Sequence, residues 1–247
     1  MSVYFCALTY CLIFYILQIT MISDLLKIKK GVTSVIGGGG KTTLLNTLAN
    51  ELKAKGAVII TTTTHIMKSE IFPNVVTKYG EENLSYINEQ LKKHNCICLG
   101  SLSENGKLTM PDTSFSDLEK IFDYILVEAD GSKRLPLKAH LDFEPVIPVE
   151  SNQTILVTGV DAVGCKLSEV AHRVNKASEL LGCSRDTVVT PEMVAKLINT
   201  ENLHNRVVFN KCDNINLKET AGLISRDIKT ECIIASLLKG EWYVSSN

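Results

Sequence analysis

From residue 21 onward, short runs of β-branched and aliphatic residues alternate with longer stretches whose apolar positions recur every three to four residues. The first kind of run suits a strand and the second an amphipathic helix. The pattern predicts strands at residues 32–36, 57–62, 96–99, 123–127, 154–158, 207–209 and 232–235. It predicts helices at 41–55, 84–93, 116–121, 174–181, 191–198 and 217–228. In the helix at 41–55, Leu44, Leu45, Leu48 and Leu52 form one stripe and Gly56 closes the helix; Pro191 stands at the first position of the helix at 191–198. The strand DYILV is apolar on both faces, as expected at the centre of a parallel sheet. Strands separated by helices give βαβ units, so the expected fold class is α/β with a doubly wound, mostly parallel sheet and helices on both faces. Loops that carry chemistry should then lie at the carboxyl ends of the strands.

Residues 1–20 break this pattern. They are almost wholly apolar, rich in aromatics and uncharged, and the first charge is Asp24. Two expectations follow: a membrane anchor oriented by Lys27, Lys29 and Lys30, or an extension ahead of a start at Met21, the second being favoured. Met21 would open a short helix capped by Ser23 or Asp24, and residues 21–247 would form a single domain. The rest of the composition narrows the class. Lys and Arg number 26 against 27 Asp and Glu, a balance that excludes a broad electrostatic grip on nucleic acid. The eight cysteines form no framework; Cys96-x-Cys98 is their one close pair beyond the apolar tail, and it lacks a second pair at zinc spacing, so reduced thiols and a cytoplasmic location are expected.

The densest chemistry follows the first strand, in Ile36-Gly-Gly-Gly-Gly-Lys-Thr-Thr43. A glycine-rich turn between a strand and a helix lets backbone N–H groups approach phosphate oxygens, and the helix adds its amino-terminal partial charge. Gly37, Gly38, Gly39, Gly40, Lys41, Thr42 and Thr43 are thus the expected phosphate site. Lys41 would bridge the β- and γ-phosphates and Thr42 would place its hydroxyl on Mg²⁺. Val35 stands where the long form of this motif has its first glycine, and the shortened loop resembles that of Mur-type ligases.

Three other strand ends add candidates. Thr61-Thr-Thr-Thr-His65 could aim Thr63 or Thr64 at the phosphate loop, with His65 more often a rim residue. The strand DYILV runs into Glu128-Ala-Asp130, two carboxylates suited to Mg²⁺ or to orienting a nucleophile. Lys133 and Arg134 follow, as candidates to hold transferring phosphoryl charge or an anionic second substrate. Asn210-Lys211-Cys212-Asp213 resembles the guanine-reading motif of GTPases: an aspartate can accept from two guanine N–H groups that adenine lacks. Ile234-Ala235-Ser236 would then lie beside the base.

Together the stretches GVTSVIGGGGKTTLLNTLANELKAKGAVIITTTTHI, ILVEADGSKRLPLKAHLDFEPVIP, VTGVDAVGCKLSEVAHRVNKASELLG and VVFNKCD resemble the selenium-dependent hydroxylase accessory proteins of the YqeC type, over about residues 21–240. The resemblance implies a P-loop NTPase-like protein that serves maturation of selenium-dependent molybdenum hydroxylases, with the hydroxylase or its pterin or selenium cofactor as partner. It adds Lys138, His172 and Arg173 to Lys133 as residues that would meet a second substrate or partner. Asn199–Asn205 replaces a glycine-rich turn usual in that family. The expected function is Mg²⁺-dependent binding of GTP, or of ATP, with Lys41, Asp130 and Arg134 as candidate catalytic groups. A small-molecule kinase or ligase using ATP and a non-catalytic scaffold on the same fold are the alternatives. No nucleic acid is expected, and a membrane only through residues 1–20.

Overall fold

A computed structural model describes residues 20–77, 82–103 and 106–245. The expectations for residues 1–19 lie outside the described residues. The strands are β1 (Gly31–Gly37), β2 (Val58–Thr62), β3 (His65–Ile66), β4 (Asn74–Thr77), β5 (Cys96–Leu102), β6 (Leu108–Thr109), β7 (Tyr124–Glu128), β8 (Leu137–Lys138), β9 (Ser151–Gly159), β10 (Ala171–His172), β11 (Arg206–Asn210), β12 (Cys232–Ser236) and β13 (Glu241–Val244). The helices are α1 (Ile22–Leu25), α2 (Lys41–Leu52), α3 (Glu82–His94), α4 (Phe115–Leu118), α5 (Leu167–Val170), α6 (Val174–Leu181), α7 (Pro191–Glu201) and α8 (Ile215–Ser225).

The main sheet runs β13-β12-β11-β9-β1-β7-β2-β5-β6-β3, with β4 also paired to β5. The strands from β12 through β2 to β5 and β4 are parallel, while β13, β6 and β3 add antiparallel edges. Parallel β8 and β10 form a separate small ribbon. The fold is therefore α/β, with a doubly wound, mostly parallel sheet. Alternation along each strand feeds two cores. Ile125 and Val127 of β7 join Val207, Phe209 and the inner faces of α6, α7 and α8, whereas Tyr124 and Leu126 join α1 and the leucine stripe of α2. Because both faces of the central strands are covered, those strands read as unbroken apolar runs.

Local chemistry sets several boundaries differently from the sequence pattern. The N-terminal helix starts after Met21, but neither Ser23 nor Asp24 caps it. The carboxylate of Glu51, from α2, accepts the amides of Ile22 (3.0 Å) and Ser23 (2.8 Å) instead. α2 ends at Leu52, one turn before residue 55, and α4 is one turn long. β3, β6, β8 and β10 have two residues each, too few to carry a period. The thiols of Cys96, Cys98, Cys212 and Cys232 are buried and free, and burial pushes them up to about 12, 11, 12 and 12. Among the described residues no helix is long and apolar enough to cross a membrane, and no group of three or more His, Cys, Asp or Glu could hold a metal ion.

Candidate functional site

β1 lies between β7 and β9, where the chain order of the sheet reverses, so the loop after β1 opens at a topological switch point. Glycine is required in that loop. A Cβ on Gly39 (φ +73°) would stand 2.4 Å from the amide nitrogen of Gly159, and one on Gly40 (φ +138°) 2.2 Å from Asn210 Nδ2. Not all of the loop faces a ligand, and here the structure corrects the sequence reading. The amide of Gly37 donates to Asp130 Oδ2 (2.8 Å), that of Gly38 to the Val157 carbonyl (2.9 Å) and that of Gly39 to the Leu135 carbonyl (3.1 Å). These three amides are spent inside the protein. Helix α2 starts at Lys41 with Gly40 as N-cap, and no side chain caps its first turn. The backbone that can meet an anion is therefore Gly40–Thr43, which lines a cleft of about 980 Å³.

Lys41 curls back over the loop. Its Nζ donates to the Gly37 carbonyl (2.7 Å) and to Ser132 Oγ (3.3 Å), and lies 3.1 Å from Asp130 Oδ1 and 3.9 Å from Glu128 Oε1. Asp130 is the hub of this cluster and is fully buried. Its Oδ2 also meets His140 Nε2 (2.8 Å) and Lys138 Nζ (3.5 Å). Burial opposes its charge, but the His140 bond, Lys41, Lys138 and the Gly37 amide together hold it down to about 2. Asp130 thus anchors the loop from beneath and does not line the cleft, contrary to the metal-ligand role expected of it. His140 was not singled out by the sequence, where a lone histidine ten residues past an aspartate has no spacing signal. Its Nδ1 lies 2.9 Å from Glu201 Oε2, and Glu201 Oε1 accepts its backbone amide (2.6 Å). With a carboxylate on each ring nitrogen, both nitrogens carry hydrogen. Burial works against that charge, yet the bonds to Asp130 and Glu201 raise the imidazole above its ordinary value. Glu201 sits within Asn199–Asn205, the segment where the sequence departs from the family pattern.

Glu128 stands at the end of β7 on the cleft side. It accepts from the Thr42 hydroxyl (3.1 Å), and burial pushes its carboxyl up. These two are the hard oxygen donors at the start of α2. Thr64 also lines the cleft, whereas the Thr63 hydroxyl donates to the Val146 carbonyl (2.6 Å). His65 lies exposed at the rim, on β3.

The basic residues separate into two groups. Lys138 is corrected: its side chain is 0% exposed, and its Nζ donates to the Gly131 carbonyl (2.7 Å) beside Asp130 and Glu144 (3.3 Å), so it reaches no partner. Arg173 lines the cleft, but its guanidinium is held on Glu144 by bonds of 2.7 and 3.3 Å. Lys133 and Arg134 are exposed on the cleft wall, and His172, half-buried on β10, joins them there.

Against the phosphate loop, Asn210 faces inward. Its Nδ2 donates to the Gly39 carbonyl (2.8 Å) and its Oδ1 accepts from the Leu237 amide (3.1 Å). Both ends of the side chain are occupied, so Asn210 positions the loop and the end of β12. Lys211, with φ +67°, is paired to Asp161 (2.7 Å), and Asp213 Oδ1 accepts from the Ser236 hydroxyl. Lys211 and Asp213 line the cleft. Asn210→Ala is expected to lower stability by about 1–3 kcal/mol, because two buried backbone groups lose their partner. Denaturant unfolding reads this, and a loss below about 0.5 kcal/mol would show that the tie carries no weight.

The structure thus gathers Gly39–Thr43, Glu128, Lys133, Arg134, His172, Arg173, Asn210, Lys211 and Asp213 around one cleft, and leaves Gly37, Gly38, Asp130 and Lys138 beneath it. Comparison with known proteins gives this arrangement a family. A family model described as YqeC protein matches residues 33–175, more than half of the chain. The uncharacterized protein YqeC of Escherichia coli (strain K12) is 37% identical over 172 residues, which span 66% of this chain and 66% of that protein's length. Two solved structures overlay more loosely. Chloroplast FtsY from Physcomitrella patens has a TM-score of 0.44 at 12% identity, over 89% of this chain and 63% of that chain. Signal recognition particle 54 kDa protein from Aeropyrum pernix K1, in complex with GDP, has a TM-score of 0.39 at 11% identity, over 88% and 44%. The family match covers the phosphate loop, the strand ending in Glu128, the Asp130 cluster and the ribbon that carries His172. The chain belongs to the YqeC family.

Proposed function

We propose that this protein binds a nucleoside triphosphate together with Mg²⁺, takes GTP in preference to ATP, and serves in the cytoplasm in the maturation of a selenium-dependent molybdenum hydroxylase. The observation that carries the nucleotide reading is the uncapped first turn of α2, opening on the cleft with Lys41 above it. Such a turn offers several N–H groups and a partial positive charge to one anion. The Thr42 hydroxyl and the Glu128 carboxylate, 3.1 Å apart, fit Mg²⁺, which takes one or two protein oxygens and keeps water for the rest. Bound there, the ion would neutralise phosphate charge. Asp130 would stay on the Gly37 amide, and Lys41 would exchange the Gly37 carbonyl for phosphate oxygen. The hydroxylase role rests on the family resemblance.

Guanine preference rests on Asp213, held at the cleft by Ser236. Adenine would leave that carboxylate without N–H donors, a penalty of about 1–3 kcal/mol, or about 5- to 150-fold in affinity. Titrating GTP, ATP, GDP and ADP with Mg²⁺ tests both levels. Equal affinity for GTP and ATP would remove Asp213 as a base reader, and no binding of any nucleotide would remove the proposal. A kinase or ligase is the second reading, favoured by the cationic wall at Lys133 and Arg134. Its mark would be a phosphorylated small molecule in place of inorganic phosphate.

A further inference from the structure

Lys133 and Arg134 occupy a turn that their side chains do not suit. The Leu135 amide donates to the Ser132 carbonyl (3.0 Å), which closes a β-turn whose two central residues are Lys133 (φ +50°) and Arg134 (φ +64°). Two successive positive φ angles are the mark of a type I′ turn, where glycine and asparagine are favoured. Long cationic side chains in that conformation are strained, and such strain gathers at ligand clamps. Both flanks of the turn are fixed to the phosphate loop, because Ser132 Oγ accepts from Lys41 and the Leu135 carbonyl accepts from the Gly39 amide. The turn therefore presents two cations at a set place on the cleft wall. Among the described residues, neither cation forms an ion pair, whereas Lys41, Lys138, Arg173 and Lys211 all do.

His172 has Lys133 among its charged neighbours. The β8–β10 ribbon sets it opposite Lys138, and it lines the same cleft. Its side chain makes no hydrogen bond within the described residues. Its charged neighbours include Lys138, Arg173, Glu144 and Lys133. Glu144 is neutralised by Arg173 and Lys138, and so does not repel an anion from this corner.

We propose that Lys133, Arg134 and His172 form a second subsite that binds a small oxyanion, of the carboxylate or phosphate class, separately from the nucleotide's own phosphates. The two cations would hold the negative oxygens, and His172 would meet the anion with an imidazole nitrogen. Burial first, then Lys138 and Arg173, press His172 below its ordinary value, so an anion held beside it would draw it back up. This names the class of second ligand for the site proposed above, and rests on that reading only for the ligand's place beside a nucleotide.

The test follows the histidine imidazole resonances of the full chain by NMR between pH 5 and 9, with His172→Gln for assignment. Sulfate serves as probe because its charge is constant over that range. The His172 midpoint is expected below that of an ordinary histidine, and sulfate is expected to raise it by about one unit, the effect of an opposite charge within hydrogen-bonding reach. The rise should vanish in the exposed double variant Lys133→Gln/Arg134→Gln, and should persist when Mg²⁺ and a non-hydrolysable GTP analogue are added. An unmoved His172, an equal rise in the double variant, or loss of the rise with the analogue would each overturn the proposal. The last result would assign the cations to the nucleotide's terminal phosphate. Failure of the analogue itself to bind would count against the nucleotide reading and leave the oxyanion subsite standing.

Discussion

Asp130→Ala should unfold the protein more readily than any other single change at the site. The carboxylate is fully buried and serves His140, Lys138, Lys41 and the Gly37 amide at once. Removing it leaves three cationic groups without their common counter-ion. Breaking a buried pair in this way costs about 3–5 kcal/mol. His140 keeps Glu201 and Lys138 keeps Glu144, which places the expectation near the lower end. Against a total stability of about 5–15 kcal/mol this is a large share. Denaturant unfolding gives the number, and a loss under about 1 kcal/mol would show that the cluster is not what anchors the loop. The pH dependence supplies a second check. The contribution of Asp130 is complete above the ordinary aspartate value, about 3.9, and is lost as pH falls through the folded value of about 2. That of His140 runs the other way: complete below the ordinary histidine value, about 6.5, and lost as pH rises through its raised folded value. The stability gap between the native chain and Asp130→Ala should be widest between about pH 4 and about pH 6.5.

Lys41→Met should leave the protein folded and remove most of the affinity for Mg²⁺ and GTP, by about 100-fold. A charge-assisted bond to phosphate contributes about 1.5–3 kcal/mol, and each 1.4 kcal/mol is about tenfold. Stability should fall by about 1–3 kcal/mol, because the buried Gly37 carbonyl and Ser132 hydroxyl lose their donor, while Asp130 retains Lys138 and His140. Glu128, already pushed up by burial, would be pushed further up once the ammonium is gone, because Lys41 is what opposes that rise. Parallel titration and thermal unfolding separate the two effects. An unchanged dissociation constant would mean that Lys41 only balances the carboxylates beneath it, which is what the scaffold alternative requires.

The two substitutions mark the division between what could be read from the residues and what could not. The strand, glycine turn and helix at residues 31–52 are plain in the sequence because apolar alternation, φ-demanding glycines and a 3.6-residue stripe all agree there. Glu128 was legible because a carboxylate at the end of an apolar strand is costly unless it is used. Asp130, two residues on, carried the same signal but has a different task, since the chain leaves the strand at Ala129 and turns the side chain under the loop. Its partners Lys138 and His140 arrive through the β8–β10 ribbon, and Glu201 through the end of α7. No local pattern encodes those long-range meetings. Asn210 was read as a group aimed at a base, but a side-chain amide satisfies a backbone carbonyl and an amide equally well, and the sequence does not say which it meets.

The Asn210 tie has a mechanical consequence. One amide spans from Gly39, beside the phosphate turn, to Leu237, beside the end of β12. The phosphate turn and the end of β12 are thereby coupled like the jaws of a caliper set to one width. Widening the first jaw strains the second, so a molecule gripped at one end meets a gauge already fixed at the other.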